Sequence, residues 1–84
     1  MSMISGAQIR AARALLGLSI TDLAEQAAVG WSTIQRFESQ DFIPNSKAGT
    51  LERLRATLEA RGIEFLGDPV TSPGVQLKTQ AHRR

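Results

Sequence analysis

Apolar residues recur at helical spacing through the first two thirds of the chain and predict a series of short helices. The first helix is expected at residues 7–16, with Ser5 and Gly6 ahead of it and Gly17 as its stop signal. Its apolar stripe consists of Ile9, Ala12, Leu15 and Leu16. This stripe predicts that one side of the first helix faces a core.

Residues 18–38 predict two further amphipathic helices joined by a tight turn. Ser19 is a start signal for the first of them, and Asp22 places a carboxylate near its positive end. Val29 lies in the turn, and the next helix restarts near Gly30. The expected inward residues are Leu23, Ala24, Ala27, Ile34 and Phe37. The expected outward residues of the second helix are Trp31, Ser32, Gln35 and Arg36. Two short helices in this arrangement are typical of a helix-turn-helix.

A loop and one more helix are expected after Glu38. Pro44 forbids a continuous helix, and Asn45 or Ser46 is expected to cap the next one. That helix is expected at about residues 47–60, followed by a glycine. Its expected inward residues are Ala48, Leu51, Leu54 and Leu58. The pattern therefore predicts four or five helices around one core.

Alternating apolar and polar positions replace the helical period near the end of the chain. Residues 63–66 and 74–78 predict two strands, and the turn-rich residues 67–73 connect them into a β-hairpin. An isolated hairpin is marginal in water, so its apolar side must lie on the helices or on a second copy of the chain. Two roles therefore stay open, a cover for the fourth helix and a dimer interface. The residues concerned are Ile63, Phe65, Val75 and Leu77.

Composition indicates a single small domain. The chain has 84 residues, of which 42% are hydrophobic, a share that is ordinary for a globular protein. Its net charge of +2 suits a polyanionic partner only where positive groups cluster on one face. No uncharged apolar run approaches the roughly 18 residues of a membrane span. Arg10 and Arg13 interrupt the N-terminal apolar stretch, so we expect no signal peptide and a cytoplasmic location.

Catalytic chemistry finds no support in the pattern. The chain contains no cysteine, which excludes disulfides and thiolate metal sites. The single histidine, His82, lies in the expected flexible basic tail at residues 79–84, far in sequence from a Ser or Asp that could complete a nucleophilic system. The seven glycines are dispersed and form no phosphate-binding loop. We therefore expect no enzyme, no cofactor and no metal.

The spacing of residues 10–38 resembles the helix-turn-helix family of phage-repressor type, also called the Xre family. The matching segments are Leu16-Gly17-Leu18-Ser19, Leu23-Ala24-Glu25, Val29 and Ser32-Thr33-Ile34. The resemblance covers roughly residues 5–61 and implies a mainly α, compact four-to-five-helix repressor-like DNA-binding domain, here with a C-terminal β-hairpin. We accordingly divide the chain into a helix-turn-helix domain at residues 1–61, a hairpin and candidate dimerisation element at 62–78, and the tail.

A member of this family would be a transcriptional regulator, a repressor by preference. It would bind double-stranded DNA as a homodimer and read the major groove with the helix at about residues 30–38. Arg36 suits guanine because its planar fork matches two acceptors, and Gln35 suits adenine. The complete set of expected base-reading residues is Trp31, Ser32, Gln35 and Arg36. The expected phosphate-binding residues are Ser19, Thr21, Thr33, Asn45, Ser46 and Lys47.

The resemblance also implies one structural ion pair and shows two departures. In this family an arginine late in the first helix often pairs with a glutamate that ends the recognition helix, and those positions are Arg13 and Glu38. Arg10 then remains for phosphate or solvent. Ile20 stands where many relatives have a DNA-contacting glutamine. Ala28 stands where many have glycine, and a left-handed conformation there would cost ~1–2 kcal/mol.

A second class of function stays open on the same fold. Apolar Trp31 and uncharged Gly30 on the outward face favour a protein surface, whereas Gln35 and Arg36 favour DNA. The alternative is a protein-interaction adaptor or an antitoxin component, whose protein partner the sequence does not identify.

Overall fold

Four helices and a two-stranded antiparallel hairpin make up the fold, which is mainly α as predicted. The computed structural model describes residues 3–47 and 49–79. The elements are α1 (Gly6–Leu16), α2 (Ile20–Ala27), α3 (Trp31–Glu38), α4 (Thr50–Ala60), β1 (Ile63–Leu66) and β2 (Gly74–Leu77). None of the described helices is long and apolar enough to cross a lipid bilayer. The expected inward residue Ala48 and the expected tail beyond Thr79, which includes His82, lie outside the described residues.

One apolar core joins the four helices and β1. Its buried members are Ile4, Ile9, Ala12, Leu23, Ala27, Val29, Ile34, Phe37, Leu51, Leu54, Leu58 and Ile63. Ile4 precedes α1 and is fully buried, a position that the helical pattern did not identify. Leu15 was expected to face the core but is 48% exposed. Leu16 packs against the core instead, and successive helical residues point about 100° apart, so both cannot share that side.

The side chain of Gln8 both starts α1 and holds the hairpin. Ser5 Oγ accepts a hydrogen bond from the Gln8 N–H at 3.2 Å, and Gln8 Oε1 accepts one from the Ser5 N–H at 3.1 Å. This reciprocal pair is a capping box. Gln8 Nε2 also donates to the carbonyl oxygens of Leu66 at 3.2 Å and Gly74 at 3.0 Å, where the two strands enter their connecting loop. The hairpin is thus tied to the first turns of α1.

The hairpin lies on the helices of its own chain. β1 contacts α4 and β2 contacts α1. Ile63 is buried in the core, and Phe65, Val75 and Leu77 pack against it while partly exposed. The structure therefore shows the first of the two roles left open for these residues, a cover over the helices. Their role in a dimer stays a prediction.

The loop after α3 is longer than predicted. α4 begins at Thr50 rather than near Lys47, and its cap is Gly49 with a positive φ of 89° and no side-chain capping hydrogen bond. The expectation that Asn45 or Ser46 caps this helix is therefore wrong. The cap must directly precede the first helical residue, and glycine adopts a positive φ without the steric cost of a Cβ.

Candidate nucleic-acid interface

The C-terminal end of α3 is fixed to α1 by the predicted ion pair. Arg13 Nε donates to Glu38 Oε2 at 2.9 Å, and Arg13 Nη2 donates to Glu38 Oε1 at 2.8 Å. Arg13 Nη1 also donates to the Leu18 carbonyl at 3.0 Å, ahead of α2. The hydrogen bond to Glu38 is the main reason that the pKa of Arg13 lies above its ordinary value. A single guanidinium thus connects α1, the entry to α2 and the end of α3.

Arg10 reinforces the same end of α3. It was expected to remain available for phosphate or solvent. Instead, its Nη1 donates to the Glu38 backbone carbonyl at 2.6 Å and its Nη2 to Asp41 Oδ1 at 2.8 Å. Arg10 precedes Arg13 by three residues, so both side chains lie on the same side of α1. The helix that carries the proposed reading residues therefore has a well-defined orientation.

The turn between α2 and α3 contains the strained alanine that the sequence suggested. Ala28 adopts the left-handed conformation with φ 56° and ψ 45°, and it is the non-glycine residue with positive φ within the described ranges. Its N–H donates to the Ala24 carbonyl, which closes the end of α2. The buried side chain of Val29 then anchors the turn in the core. This short connection sets the position of α3 against α2.

The four expected base-reading side chains lie together on the outward face of α3. Ile34 and Phe37 point inward and are fully buried, which leaves the opposite side of the helix in solvent. The exposed residues of that side include Trp31, Ser32, Gln35 and Arg36. The Trp31 residue is 49% exposed, and the Arg36 guanidinium carbon lies 5.2 Å from the centroid of the Phe37 ring. These four residues are called the α3 face below.

A cleft of about 240 Å³ lies beside the α3 face, between α3 and the start of α4. Its walls are formed by Ala28, Val29, Gly30, Thr33, Arg36, Phe37, Ser46, Lys47, Thr50 and Arg53. They contain three cationic side chains, three hydroxyl side chains and no carboxylate. Of the expected phosphate-binding residues, Thr33, Ser46 and Lys47 meet in this α3–α4 cleft, whereas Asn45 is exposed just before it.

Arg53 is a candidate site residue that the sequence pattern did not identify. It lies in the first turns of α4, and its Nη2 donates to the Ala28 carbonyl at 3.4 Å. From the sequence, α4 was expected to start near Lys47, which put Arg53 in the middle of the helix and away from the site. With the start at Thr50, this arginine borders the cleft next to the turn that precedes α3.

At the N-terminus of α2, a capping box within the chain already uses backbone N–H groups. Ser19 Oγ accepts from the Asp22 N–H at 3.0 Å, and Asp22 Oδ2 accepts from the Ser19 N–H at 3.0 Å. The hydrogen bond from the Ser19 backbone is the main reason that the pKa of Asp22 lies below its ordinary value. Neither Ser19 nor Thr21 lines the α3–α4 cleft, although both are exposed. Phosphate contacts from these two residues stay a prediction.

The cationic side chains divide into those that form an ion pair with a carboxylate and those that form none. The ion pairs, at 2.8 to 3.1 Å, are Arg10–Asp41, Arg13–Glu38, Arg55–Glu59 and Lys78–Glu64. In the part of the chain that the structure describes, Arg36, Lys47 and Arg53 form no such pair with a carboxylate. Three of the cationic side chains without such a pair therefore surround one cleft, and a fourth, Arg61, contacts Gln26 and lies outside it.

Comparison with known proteins adds no family assignment. No protein-family model matches the chain, and no curated protein sequence matches it significantly. Within residues 3–47 and 49–79, no three His, Cys, Asp or Glu side chains come together in a group that could hold a metal ion. The candidate functional site is therefore the α3 face together with the cleft beside it.

Proposed function

We propose that the chain is a sequence-specific regulator that binds duplex DNA through a helix-turn-helix formed by α2 and α3. The observation that carries this proposal is the concentration of Arg36, Lys47 and Arg53 around the α3–α4 cleft without carboxylate partners. Phosphate contacts supply most of the affinity of a DNA-binding protein, and such contacts need positive groups that are not already neutralised. Repression is the preferred form of regulation.

The α3 face supplies the side chains that would read bases. A helix in the major groove reaches base edges with the residues of its outer side, and all four residues of the α3 face are exposed there. Arg36 can donate two hydrogen bonds to guanine, and Gln35 can pair with adenine. The Trp31 ring can pack against a thymine methyl group or a sugar. The network of Arg10 and Arg13 keeps α3 oriented while these contacts form.

Lys47 and Arg53 would bind phosphates on the flank of α3. Thr33 and Ser46 add hydroxyl donors between them. The N-terminus of α3 adds backbone N–H groups, because its cap, Gly30, has no side-chain hydrogen bond to satisfy them. Two chains bound as a homodimer would place their α3 helices in half-sites about 34 Å apart. The hairpin residues remain the candidate dimer contacts.

A protein-binding role is the second candidate, and one observation favours it. Trp31 is half exposed at the start of α3, and aromatic residues are enriched where proteins bind each other. On this proposal the α3 face would dock an apolar surface instead of a DNA groove, as in an adaptor or an antitoxin component. The two candidates differ in their dependence on Arg36, Lys47 and Arg53.

Selection of bound sequences from a random duplex library tests the proposal. We expect enrichment of a defined motif by the intact chain. Arg36→Ala should remove the preference at one base position, a loss of about 1–3 kcal/mol of discrimination, because the bidentate contact to a base edge is gone. Lys47→Ala should weaken binding to all duplex sequences by the same factor.

The matched control is Arg61→Ala, which removes an exposed arginine that contacts Gln26 and lies outside the cleft. It should leave the enriched motif unchanged. A library that shows no enrichment with the intact chain would contradict sequence-specific DNA binding. In that case, a Trp31→Ala variant that loses a protein partner would favour the second candidate.

A further inference from the structure

The α3–α4 cleft is concave, and this shape sets it apart from a surface that only touches a DNA backbone. Three cations and three hydroxyl groups surround about 240 Å³ of space that contains no carboxylate in its walls. Like charges that share one concavity repel each other, and an anion in the middle relieves that repulsion. The walls therefore suit a small anion with several acceptor oxygens.

The backbone around the cleft also contributes positive electrostatic potential. α1 and α2 each begin with a capping box, whereas α3 and α4 begin at Gly30 and Gly49 without any side-chain capping hydrogen bond. Gly30 and Thr50 both line the cleft, so the uncapped ends of the two helices lie at its walls. The dipoles of these two helix ends add to the positive potential of Arg36, Lys47 and Arg53.

The number of positive groups indicates which kind of phosphate fits best. A phosphodiester of the DNA backbone carries one negative charge and is flanked by a sugar on both sides. A terminal phosphate carries between 1.5 and 2 negative charges at neutral pH, roughly, and has three free oxygens that accept hydrogen bonds. Three cations around one concave pocket complement the terminal group better than the flanked one.

We propose that the α3–α4 cleft is a binding site for the terminal phosphate of a small phosphorylated molecule. Arg36, Lys47 and Arg53 neutralise the phosphate, and the hydroxyl groups of Thr33, Ser46 and Thr50 donate to its oxygens. Because the proposed DNA contacts use the same cations, such a molecule would compete with DNA, and this consequence rests on the proposed function. The binding itself does not depend on it.

Two probes of matched chemistry test the site in the intact chain. Methyl phosphate is a monoester, and dimethyl phosphate is the corresponding diester with a single charge. Each is titrated at constant ionic strength, adjusted with sodium chloride, while the amide NMR signals of Gly30, Thr33 and Thr50 are followed. Trp31 provides a second readout, because it is the only tryptophan in a chain without tyrosine. We expect saturable shifts with methyl phosphate and at least about tenfold weaker binding of dimethyl phosphate.

Charge-removing variants show whether the cleft is responsible. Arg53→Gln and Lys47→Gln should each weaken methyl phosphate binding about tenfold, because each removes a charge-assisted hydrogen bond. Arg61→Gln removes the same charge outside the cleft and should change the affinity less than about twofold. The amide spectrum of each variant establishes that it is folded. Shifts that do not saturate, or an equal loss in Arg61→Gln and Arg53→Gln, would overturn the proposal.

A duplex binding assay separates this inference from the proposed function. A chain that saturates with methyl phosphate but binds no duplex supports the phosphate site and overturns the DNA proposal. A chain that binds duplex but shows no saturation with methyl phosphate overturns the phosphate site alone. If the chain binds both methyl phosphate and duplex DNA, methyl phosphate should displace the duplex at a lower concentration than dimethyl phosphate does. Equal displacement by the two phosphates would contradict the site.

Discussion

The two ends of α3 use polar groups in opposite ways. At the C-terminal end, the Glu38 carboxylate accepts two hydrogen bonds from Arg13, and the Glu38 backbone carbonyl accepts one from Arg10. At the N-terminal end, Gly30 has no side-chain cap and Trp31 is half exposed. Both ends are rich in cations. At the C-terminal end, Arg10 and Arg13 are paired with carboxylates of the same chain, whereas Arg36 in the last turn and the cleft residues Lys47 and Arg53 form no such pair.

This difference separates residues that build the fold from residues left for a ligand. A paired guanidinium such as Arg13 has its hydrogen bonds satisfied within the chain, so its removal should lower stability. An arginine without a carboxylate partner, such as Arg36, contributes little to stability, and its removal should alter binding instead. The following predictions begin with matched positions around α3 and are ordered by decreasing effect.

Adding one methyl group should have very different effects at the two ends. A Cβ at Gly6 would lie 2.1 Å from the carbonyl oxygens of Phe37 and Gln40, at the C-terminal end of α3. A Cβ at Gly30 would meet only Thr33 Oγ1, at 3.7 Å. We expect Gly6→Ala to lower the free energy of unfolding by about 3 kcal/mol or more, because the backbone must move apart. Gly30→Ala should cost less than about 1 kcal/mol. Urea denaturation of both variants measures the difference, and similar losses would contradict it.

Removing one charge should likewise affect stability mainly where that charge is paired within the chain. Glu38→Gln leaves Arg13 without its bidentate partner, and the Glu38 side chain is only 7% exposed. We expect a loss of about 2 kcal/mol in the free energy of unfolding. Arg36→Gln at the α3 face should change it by less than about 0.5 kcal/mol. Urea denaturation at two salt concentrations checks this prediction, which fails if Arg36→Gln is the more destabilising change.

The strained turn ahead of α3 offers a stabilising change. Ala28 has a φ of 56°, so Ala28→Gly should raise the free energy of unfolding by about 1 kcal/mol once the left-handed strain is relieved. Gly17 is the reverse control, since its φ is 69° and a Cβ there would meet nothing within 4 Å. Gly17→Ala should therefore destabilise by a similar amount. Thermal unfolding followed by circular dichroism measures both changes, and a destabilising Ala28→Gly would show that the strain is absent.

Acid should weaken the start of α2 because of Asp22. Hydrogen bonds from Ser19 lower the Asp22 pKa in the folded state, below the value of about 3.9 in an unfolded chain. The contribution of Asp22 to stability is then fully present above that unfolded pKa, and it is lost as the pH falls through the folded pKa. NMR titration of the Asp22 carboxyl should place its pKa below 3.9 in the wild type and closer to it in Ser19→Ala. Because the Ser19 backbone N–H remains in Ser19→Ala, the wild-type value decides the prediction, and an Asp22 pKa at or above about 3.9 would contradict the role of the capping box.

Much of the fold follows from local patterns. The bounds of α1 to α3 were predicted to within a few residues, because caps and apolar periodicity act over short distances. The residues that predicted them are Gly17, Ser19, Leu23, Ile34 and Phe37. Other features depend on contacts between distant segments. Gln8 is one example: its role is set by carbonyls more than fifty residues further along the chain. A local pattern cannot show such a contact.

Only part of the candidate site could be predicted from the sequence, because the rest depends on contacts between distant segments. Solvent exposure of the α3 face follows from the helical period once Ile34 and Phe37 point inward. Arg53 joins the site only because α4 starts at Thr50 and its first turns approach Ala28. The pairing of Arg10 with Asp41 likewise depends on how the loop after α3 folds back. Which cations are neutralised is therefore a property of the tertiary structure.

The salt dependence of duplex DNA binding tests most directly whether the cations around the cleft are available for phosphate. For the intact chain, we expect log affinity to fall linearly with log salt concentration, because each neutralised phosphate releases counterions. Lys47→Gln and Arg53→Gln should each make the slope shallower by about 0.9 per bound chain, whereas Arg61→Gln should leave it unchanged. Binding that does not depend on salt, or a slope that survives the loss of both Lys47 and Arg53, would contradict the account.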